Sequence, residues 1–174
     1  MRMDSAEQNQ LKKILQDRKM LVTLGISILL FLLYGMIFSL SAQDGEETGS
    51  LSAYLSELCV EIFDAVANKG WSESFKESLA LYFEHPLRKM AHFGEYAVLG
   101  ILIYILMRQW QERSPKLVKI QILWVVLSAV SDEIHQFFVP GRYSTLGDVL
   151  LDSAGGCFGM LCLVLLDKYL EKRK

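Results

Sequence analysis

Ionisable side chains interrupt three long apolar stretches of this 174-residue chain, each near one end of the stretch. A histidine beside a carboxylate can act as a general base or as a nucleophile. Arginine can neutralise a phosphate through a two-point contact, and several carboxylates together can hold a divalent cation. These residue types suit chemistry on a phosphoester or on a phosphate-linked lipid head group. The candidates are Arg88, Lys89, His92, Glu95, Tyr96, Asp132, Glu133, His135, Gln136, Arg142, Asp148 and Asp152.

Helical spacing places these side chains on common faces, because residues three or four apart share one face of a helix. Small residues one turn apart, such as Gly155 and Gly159, allow another helix to approach closely. The polar face of the last apolar stretch is therefore expected to point into the protein. The groups are Arg88, His92 and Glu95; Asp132, Glu133 and Gln136, with His135 at their edge; and Asp148 and Asp152 above the two glycines.

The polar groups also share one depth. At a rise of about 1.5 Å per residue, Glu95 lies about 14 Å from the start of its apolar stretch. Asp132 lies about 12 Å from the turn at Pro140, and Asp152 lies about 9 Å from the start of its own stretch. Three helices therefore present their polar side chains in one layer, which predicts a shared pocket.

The elements that position this layer are apolar helices. A helix needs about 20 largely apolar residues to cross a bilayer, and 52% of this chain is hydrophobic. We expect an all-α single domain over 1–174, built as a polytopic four-helix membrane bundle. A turn signal at 68–70 divides the first long link into two amphipathic helices. The predicted spans are 20–40, 86–107, 117–139 and 146–166, and the amphipathic segment is 48–84.

Basic residues set the predicted orientation. They cluster in the N-terminal arm, in the link between the second and third spans, and in the C-terminal tail. An excess of Lys and Arg marks the cytoplasmic side, so both termini are expected there. The link 41–84, with nine acidic and two basic residues, then faces outward. The polar layer accordingly lies in the outer leaflet, and no basic tract points to a nucleic-acid partner.

Four motifs resemble those of the VanZ-like family. The second span opens with a sequence similar to that family's Lys-x-x-His-Phe-x-x-Tyr signature. Many family members have Asn where this chain has Asp152. The motifs are Phe38-Ser39-Leu40-Ser41-Ala42-Gln43, then Arg88-Lys89-Met90-Ala91-His92-Phe93-Gly94-Glu95-Tyr96, then Ser131 to Arg142, and Asp148 to Gly156. The matched positions are Lys89, His92, Tyr96, Glu133, Gln136, Arg142, Asp148 and Asp152.

This resemblance implies a multi-pass envelope protein of the bacterial cytoplasmic membrane, in a family named for a member associated with teicoplanin resistance. The family is also similar, by analogy of fold, to membrane enzymes that exchange or hydrolyse lipid head groups, such as base-exchange phosphatidylserine synthases. Membrane lipids are the expected partners, together with a lipid-linked envelope precursor or a glycopeptide antibiotic.

The leading hypothesis is an enzyme that acts on a phosphate-linked lipid head group in the outer leaflet. His92 is the predicted base or nucleophile, Glu133 orients or activates it, and Gln136 positions the substrate. The predicted phosphate- or substrate-binding residues are Arg142, Lys89, Arg88 and Tyr96. The predicted polar wall or divalent-cation site comprises Glu95, Asp132, His135, Asp148 and Asp152. A metal site could also combine His92 and His135 with Glu133, Asp148 or Asp152.

Two other classes of function stay open at this point. The protein could bind an envelope lipid, a peptidoglycan precursor or a glycopeptide without catalysis, so that His92→Ala would leave binding intact. It could also be a structural subunit of an envelope complex, with the polar layer serving as a buried ion-pair network. Substituting Glu133 by Gln would then chiefly lower stability, because breaking a buried ion pair is costly.

Overall fold

The structure, a computed structural model, describes residues 5–42, 45–112, 114–142 and 144–173, with the side chains at 5–6 and 45–51 left aside. Over these residues the chain is all-helical, as predicted. The remaining positions of the predicted 1–174 domain, and the side chains at 48–51 of the predicted amphipathic segment, lie outside this description. The helices are α1 (Ser5–Ala42), α2 (Gly45–Ala67), α3 (Glu73–Arg108), α4 (Pro115–Phe137) and α5 (Leu146–Glu171).

The segment predicted to hold two separate amphipathic helices is built differently. α2 ends just before Asn68 and Gly70, which both have positive φ, so the predicted turn is confirmed. The second predicted helix is instead the first part of α3, which continues through Pro86. A proline usually kinks or ends a helix because it lacks an N–H group. Here α2 packs on this part of α3, and Ser56 donates a hydrogen bond to the Ala80 carbonyl, so tertiary contact supports the continuous helix.

Local sequence explains how α4 and α5 begin. Ser114 caps α4 by accepting a hydrogen bond from the Leu117 N–H at 3.2 Å, and a proline follows at the first helical position, where no N–H is needed. Thr145 caps α5 by accepting a hydrogen bond from the Asp148 N–H at 3.1 Å, and threonine is a favoured residue at this position. Between α4 and α5 the chain reverses at Gly141, whose φ of 74° favours glycine.

The close pairing of α3 with α5 is the most extensive helix contact of the structure. A side chain at Gly155 would collide with the carbonyl of Phe93, and one at Gly159 with the carbonyl of Ala97. Gly100 of α3 is equally close to the backbone of α5. The predicted close approach along the glycine stripe is therefore confirmed. A core shared by α1, α3, α4 and α5 lies beside this contact and includes Tyr96, Leu99, Ile103 and Val125.

Among the described residues, three helices are long and apolar enough to cross a membrane: α1 from Glu7, α3 and α5. They contain three of the four predicted spans, and large apolar side chains such as Phe31 stay exposed on them. The third predicted span, 117–139, lies mostly on α4, which does not reach the same apolarity. Its last two turns carry Asp132, Glu133, His135 and Gln136, so a membrane crossing by α4 stays a prediction.

Candidate functional site

Helical spacing brings most of the predicted polar residues around one cavity of about 460 Å³. Its wall comes from the middle of α3, the end of α4, the turn after α4 and the first two turns of α5. Eight of the twelve candidates line it. They are Arg88, Lys89, His92, Glu133, Gln136, Arg142, Asp148 and Asp152.

Three cationic side chains, Arg88, Lys89 and Arg142, face this cavity. Lys89 Nζ lies 2.9 Å from Asp148 Oδ1. The Arg142 Nη2 group donates to the Leu40 carbonyl at 2.8 Å, which ties the α4–α5 turn to the end of α1. Burial, and after it the charge of Arg88, lower the pKa of the Arg142 guanidinium, but a guanidinium remains charged at neutral pH. The same lining also carries the carboxylates of Glu133, Asp148 and Asp152, so an anion is favoured only in the part of the cavity where the cations lie.

A hydrogen-bonded triangle joins α1 to α4 behind the cavity. Ser41 Oγ donates to Asp132 Oδ2 at 3.0 Å. The Gln136 amide donates to Ser41 Oγ at 3.1 Å and to Asp132 Oδ2 at 3.0 Å. All three side chains are buried, so the triangle fixes how Asp132 and Gln136 are oriented. Ser41 belongs to the first family-like motif but was not among the predicted site residues, because spacing along one helix does not show which other helix a side chain meets.

Glu133 holds the beginning of α5 in place. Its Oε2 atom accepts a hydrogen bond from the Thr145 N–H at 3.2 Å, and the Thr145 hydroxyl donates to Asp148 Oδ2 at 2.8 Å. A carboxylate at the start of a helix is also favoured by the helix dipole. Glu133 thus lines the cavity and binds the start of α5, and its role towards His92 stays a prediction.

His92 lies where carboxylates from three helices come together. Its Nδ1 atom is 3.6 Å from Glu95 Oε2 on the same helix. One nitrogen of His92 and one carboxylate oxygen each from Asp132 and Asp152 lie within 4.8 Å of one another. The imidazole therefore has carboxylates on α3, α4 and α5 as neighbours, an arrangement suited to proton transfer or to metal binding.

Four candidates lie outside the cavity lining. Tyr96 is buried in the core, and its hydroxyl donates to the Ser128 carbonyl at 3.3 Å, so it packs helices together rather than facing a substrate. The His135 ring packs against Phe38 of α1 with 5.5 Å between ring centroids, and it does not line the cavity. The other two, Glu95 and Asp132, lie behind the wall near His92.

Four further residues complete the lining: His85, Gly141, Thr145 and Leu151. His85 was not among the predicted site residues, because the second predicted span begins at Pro86. Because α3 continues through that proline, His85 lies one turn before Arg88 and Lys89 on the same face. If the predicted helix had begun before Pro86, helical spacing would have placed His85 on the same face as Arg88, Lys89 and His92.

Comparison with models of known protein families identifies a match over most of the chain. The family model described as VanZ/LLP1 matches residues 26–167, a range that includes every residue lining the polar cavity. No curated protein and no solved structure gives a significant match.

Proposed function

This chain belongs to the VanZ/LLP1 family, and from that premise we propose that it is a bacterial membrane enzyme acting on a phosphate-linked lipid head group. The reaction is hydrolysis of the head group or its exchange for another. The observation that carries this proposal is the polar cavity, in which Arg88, Lys89 and Arg142 face the same space as His92. Positive charge beside a proton-transferring side chain is the arrangement that phosphoester chemistry requires.

The proposed topology has four crossings of the cytoplasmic membrane, by α1, α3, α4 and α5, with both termini in the cytoplasm. The basic links and tails fall on one side in this arrangement, as the positive-inside rule requires. Polar residues within a membrane usually face the protein interior. In agreement, Asp132, Glu133 and Gln136 of α4 are all buried against neighbouring helices. The polar cavity would then open in the outer leaflet.

Phosphate binding is assigned to the cationic side of the cavity. The planar guanidinium of an arginine can bind two oxygens of one phosphate. Arg142 is anchored by the Leu40 carbonyl and Lys89 by Asp148, so both charges are held in place before a ligand arrives. A preformed site of this kind lowers the ordering cost of binding.

The proposed chemical step uses His92 as a general base. His92 takes a proton from the attacking water, or from the incoming alcohol in an exchange. A new bond forms between that oxygen and phosphorus, the bond from phosphorus to the leaving alcohol breaks, and the leaving oxygen takes up a proton. Gln136 is proposed to position the substrate through its amide oxygen, because its N–H groups donate to Ser41 and Asp132. Glu133 keeps α5 aligned with the cavity.

A lipid substrate also needs an apolar surface beside its head-group site. A second cavity, of about 520 Å³, lies between α2 and α3 and is lined by apolar residues such as Phe63, Phe75 and Leu87. Pro86, Leu87 and Met90 border this cavity, while Arg88 and Lys89 border the polar one. The same turn of α3 therefore borders an apolar surface on one side and the cationic wall on the other, which supports an amphiphilic substrate.

The test compares the lipids of a host that expresses the wild type with those of a host that expresses His92→Ala, at equal membrane levels. We expect a change in head-group composition with the wild type that is absent with His92→Ala. Asp167→Asn is the matched control, because Asp167 lies at the opposite end of α5, where it binds Tyr104 and Arg108. This control should behave as the wild type does.

Two results would contradict the proposal that the protein is an enzyme. One is an unchanged lipid profile with the wild type, in a host that contains phospholipids and polyprenyl phosphates. The other is the same head-group change with His92→Ala as with the wild type. The first result would favour non-catalytic binding of an envelope lipid, a peptidoglycan precursor or a glycopeptide antibiotic.

A further inference from the structure

We propose that His92, Asp132 and Asp152 form a binding site for one divalent transition-metal ion, of the zinc or manganese type, beside the polar cavity. The three residues come from α3, α4 and α5, and their ligand atoms lie within 4.8 Å of one another. Each proposal can fail without the other; in the metal-bound form, the ion rather than a free His92 imidazole would activate the attacking oxygen.

The separation of the ligand atoms fits a metal ion. Zinc lies about 2.0–2.2 Å from histidine nitrogen and carboxylate oxygen, so two ligands of one ion are at most about 4.4 Å apart. Atoms within 4.8 Å of one another therefore reach a common ion after side-chain movements of a few tenths of an ångström. Such movements need only small rotations of the two aspartates.

Unpartnered oxygen atoms provide independent support for the site. Asp132 is fully buried and Asp152 is 3% exposed. The Oδ1 atom of each has no hydrogen-bond partner among the described residues, and neither has His92 Nδ1. A buried carboxylate oxygen without a partner costs free energy. A cation between the two aspartates would satisfy both carboxylates together.

Asp132 is held by hydrogen bonds from neighbouring side chains, as metal ligands commonly are. Ser41 and Gln136 both donate to its Oδ2 atom, which leaves Oδ1 directed elsewhere. Outer hydrogen bonds of this kind commonly orient the ligands of a metal. Glu95 Oε2 lies 3.6 Å from His92 Nδ1, beyond hydrogen-bond distance, and a small movement would let this carboxylate accept a hydrogen bond from the imidazole.

The ligand types select the class of ion. Calcium and magnesium prefer sites made of oxygen alone, whereas imidazole suits zinc and other transition metals. Three protein ligands leave at least one coordination position open, as in catalytic zinc sites. Both His92 and Asp152 also line the polar cavity, so an open position there could accept an anionic oxygen.

The test uses the purified full-length protein in detergent, stripped of metal with a chelator. Metal content after incubation with Zn²⁺ or Mn²⁺ and gel filtration is measured by mass spectrometry, and the melting temperature is recorded with and without the ion. We expect one ion per chain and a higher melting temperature, because an ion that binds only the folded state stabilises it. Asp132→Asn and Asp152→Asn should weaken affinity by more than the roughly 10- to 100-fold typical of an outer-shell change.

Asp167→Asn again serves as the control, since it removes a carboxylate from α5 outside the site. It should bind the ion with the affinity of the wild type, judged against its own metal-free melting temperature. The proposal is overturned if the wild type binds less than a stoichiometric amount and does not change its melting temperature. It is equally overturned if both aspartate variants keep the full metal response, or if a lower pH alone replaces the effect of metal. If the protein binds the ion but host lipids stay unchanged, only the proposed head-group reaction is contradicted.

Discussion

Gly155 offers the sharpest test of how α3 and α5 position the site. It lies three residues after Asp152 on α5, and it faces the backbone of Phe93, the residue after His92 on α3. A methyl group at position 155 would lie 3.1 Å from the Cα and carbonyl carbon of Phe93 and closer still to its oxygen. Ordinary contacts of this kind are 3.4–4 Å. Because backbone atoms cannot change rotamer, Gly155→Ala must push the two helices apart.

The expected magnitude follows from two opposing effects. Overpacking costs about 1–3 kcal/mol, with the upper end expected against backbone. Replacing glycine by alanine within a helix returns about 1 kcal/mol. The net result for Gly155→Ala is a loss of about 2 kcal/mol in the free energy of unfolding. Moving α5 away from α3 should also separate Asp152 from His92 and so reduce head-group turnover together with metal affinity.

The assay is denaturant unfolding of the purified protein, followed by circular dichroism. Gly94→Ala is the matched control, because a methyl group at this position of α3 meets no atom within 4 Å. It should gain up to about 1 kcal/mol from helix propensity alone. The two substitutions are therefore expected to change stability in opposite directions. Equal stabilisation by both would refute the close helix contact and the positioning argument built on it.

Two more predictions concern the anion site and the topology. Arg142→Lys keeps a positive charge but loses the two-point contact with phosphate and the guanidinium bond to the Leu40 carbonyl. In a turnover assay with varied lipid concentration, the apparent affinity for lipid should therefore fall about tenfold, or about 1.4 kcal/mol. The control, Lys168→Ala at the far end of α5, should have no effect. The topology is tested in a variant that lacks the three native cysteines. Glu61→Cys on α2 should react with an impermeant maleimide in intact cells, and Gln111→Cys should react only after lysis. The reverse pattern would show that the cavity lies in the cytoplasmic leaflet.

Helical periodicity predicted the shared layer of polar residues because residue spacing fixes both depth and face along a helix. The turn near Gly70 was predicted from local backbone preferences. Contacts between distant segments could not be obtained in this way. Ser41 meets Asp132 across 91 positions, and the rotation of α1 about its own axis decides that pairing. The rotation of α4 likewise decides that His135 packs on Phe38 instead of lining the cavity.

The polar end of α4 makes the membrane fold and the site depend on one another. By its own composition α4 is too polar to count as a membrane span, because its last turns hold Asp132, Glu133 and Gln136. When these side chains are buried, their hydrogen-bond partners come from other segments. Ser41 of α1 bonds Asp132 and Gln136, and the Thr145 N–H before α5 bonds Glu133. Polar groups in a bilayer require such partners. The contacts that assemble the site would therefore also allow α4 to cross the membrane, and a substitution that removes one of them should affect stability and activity together.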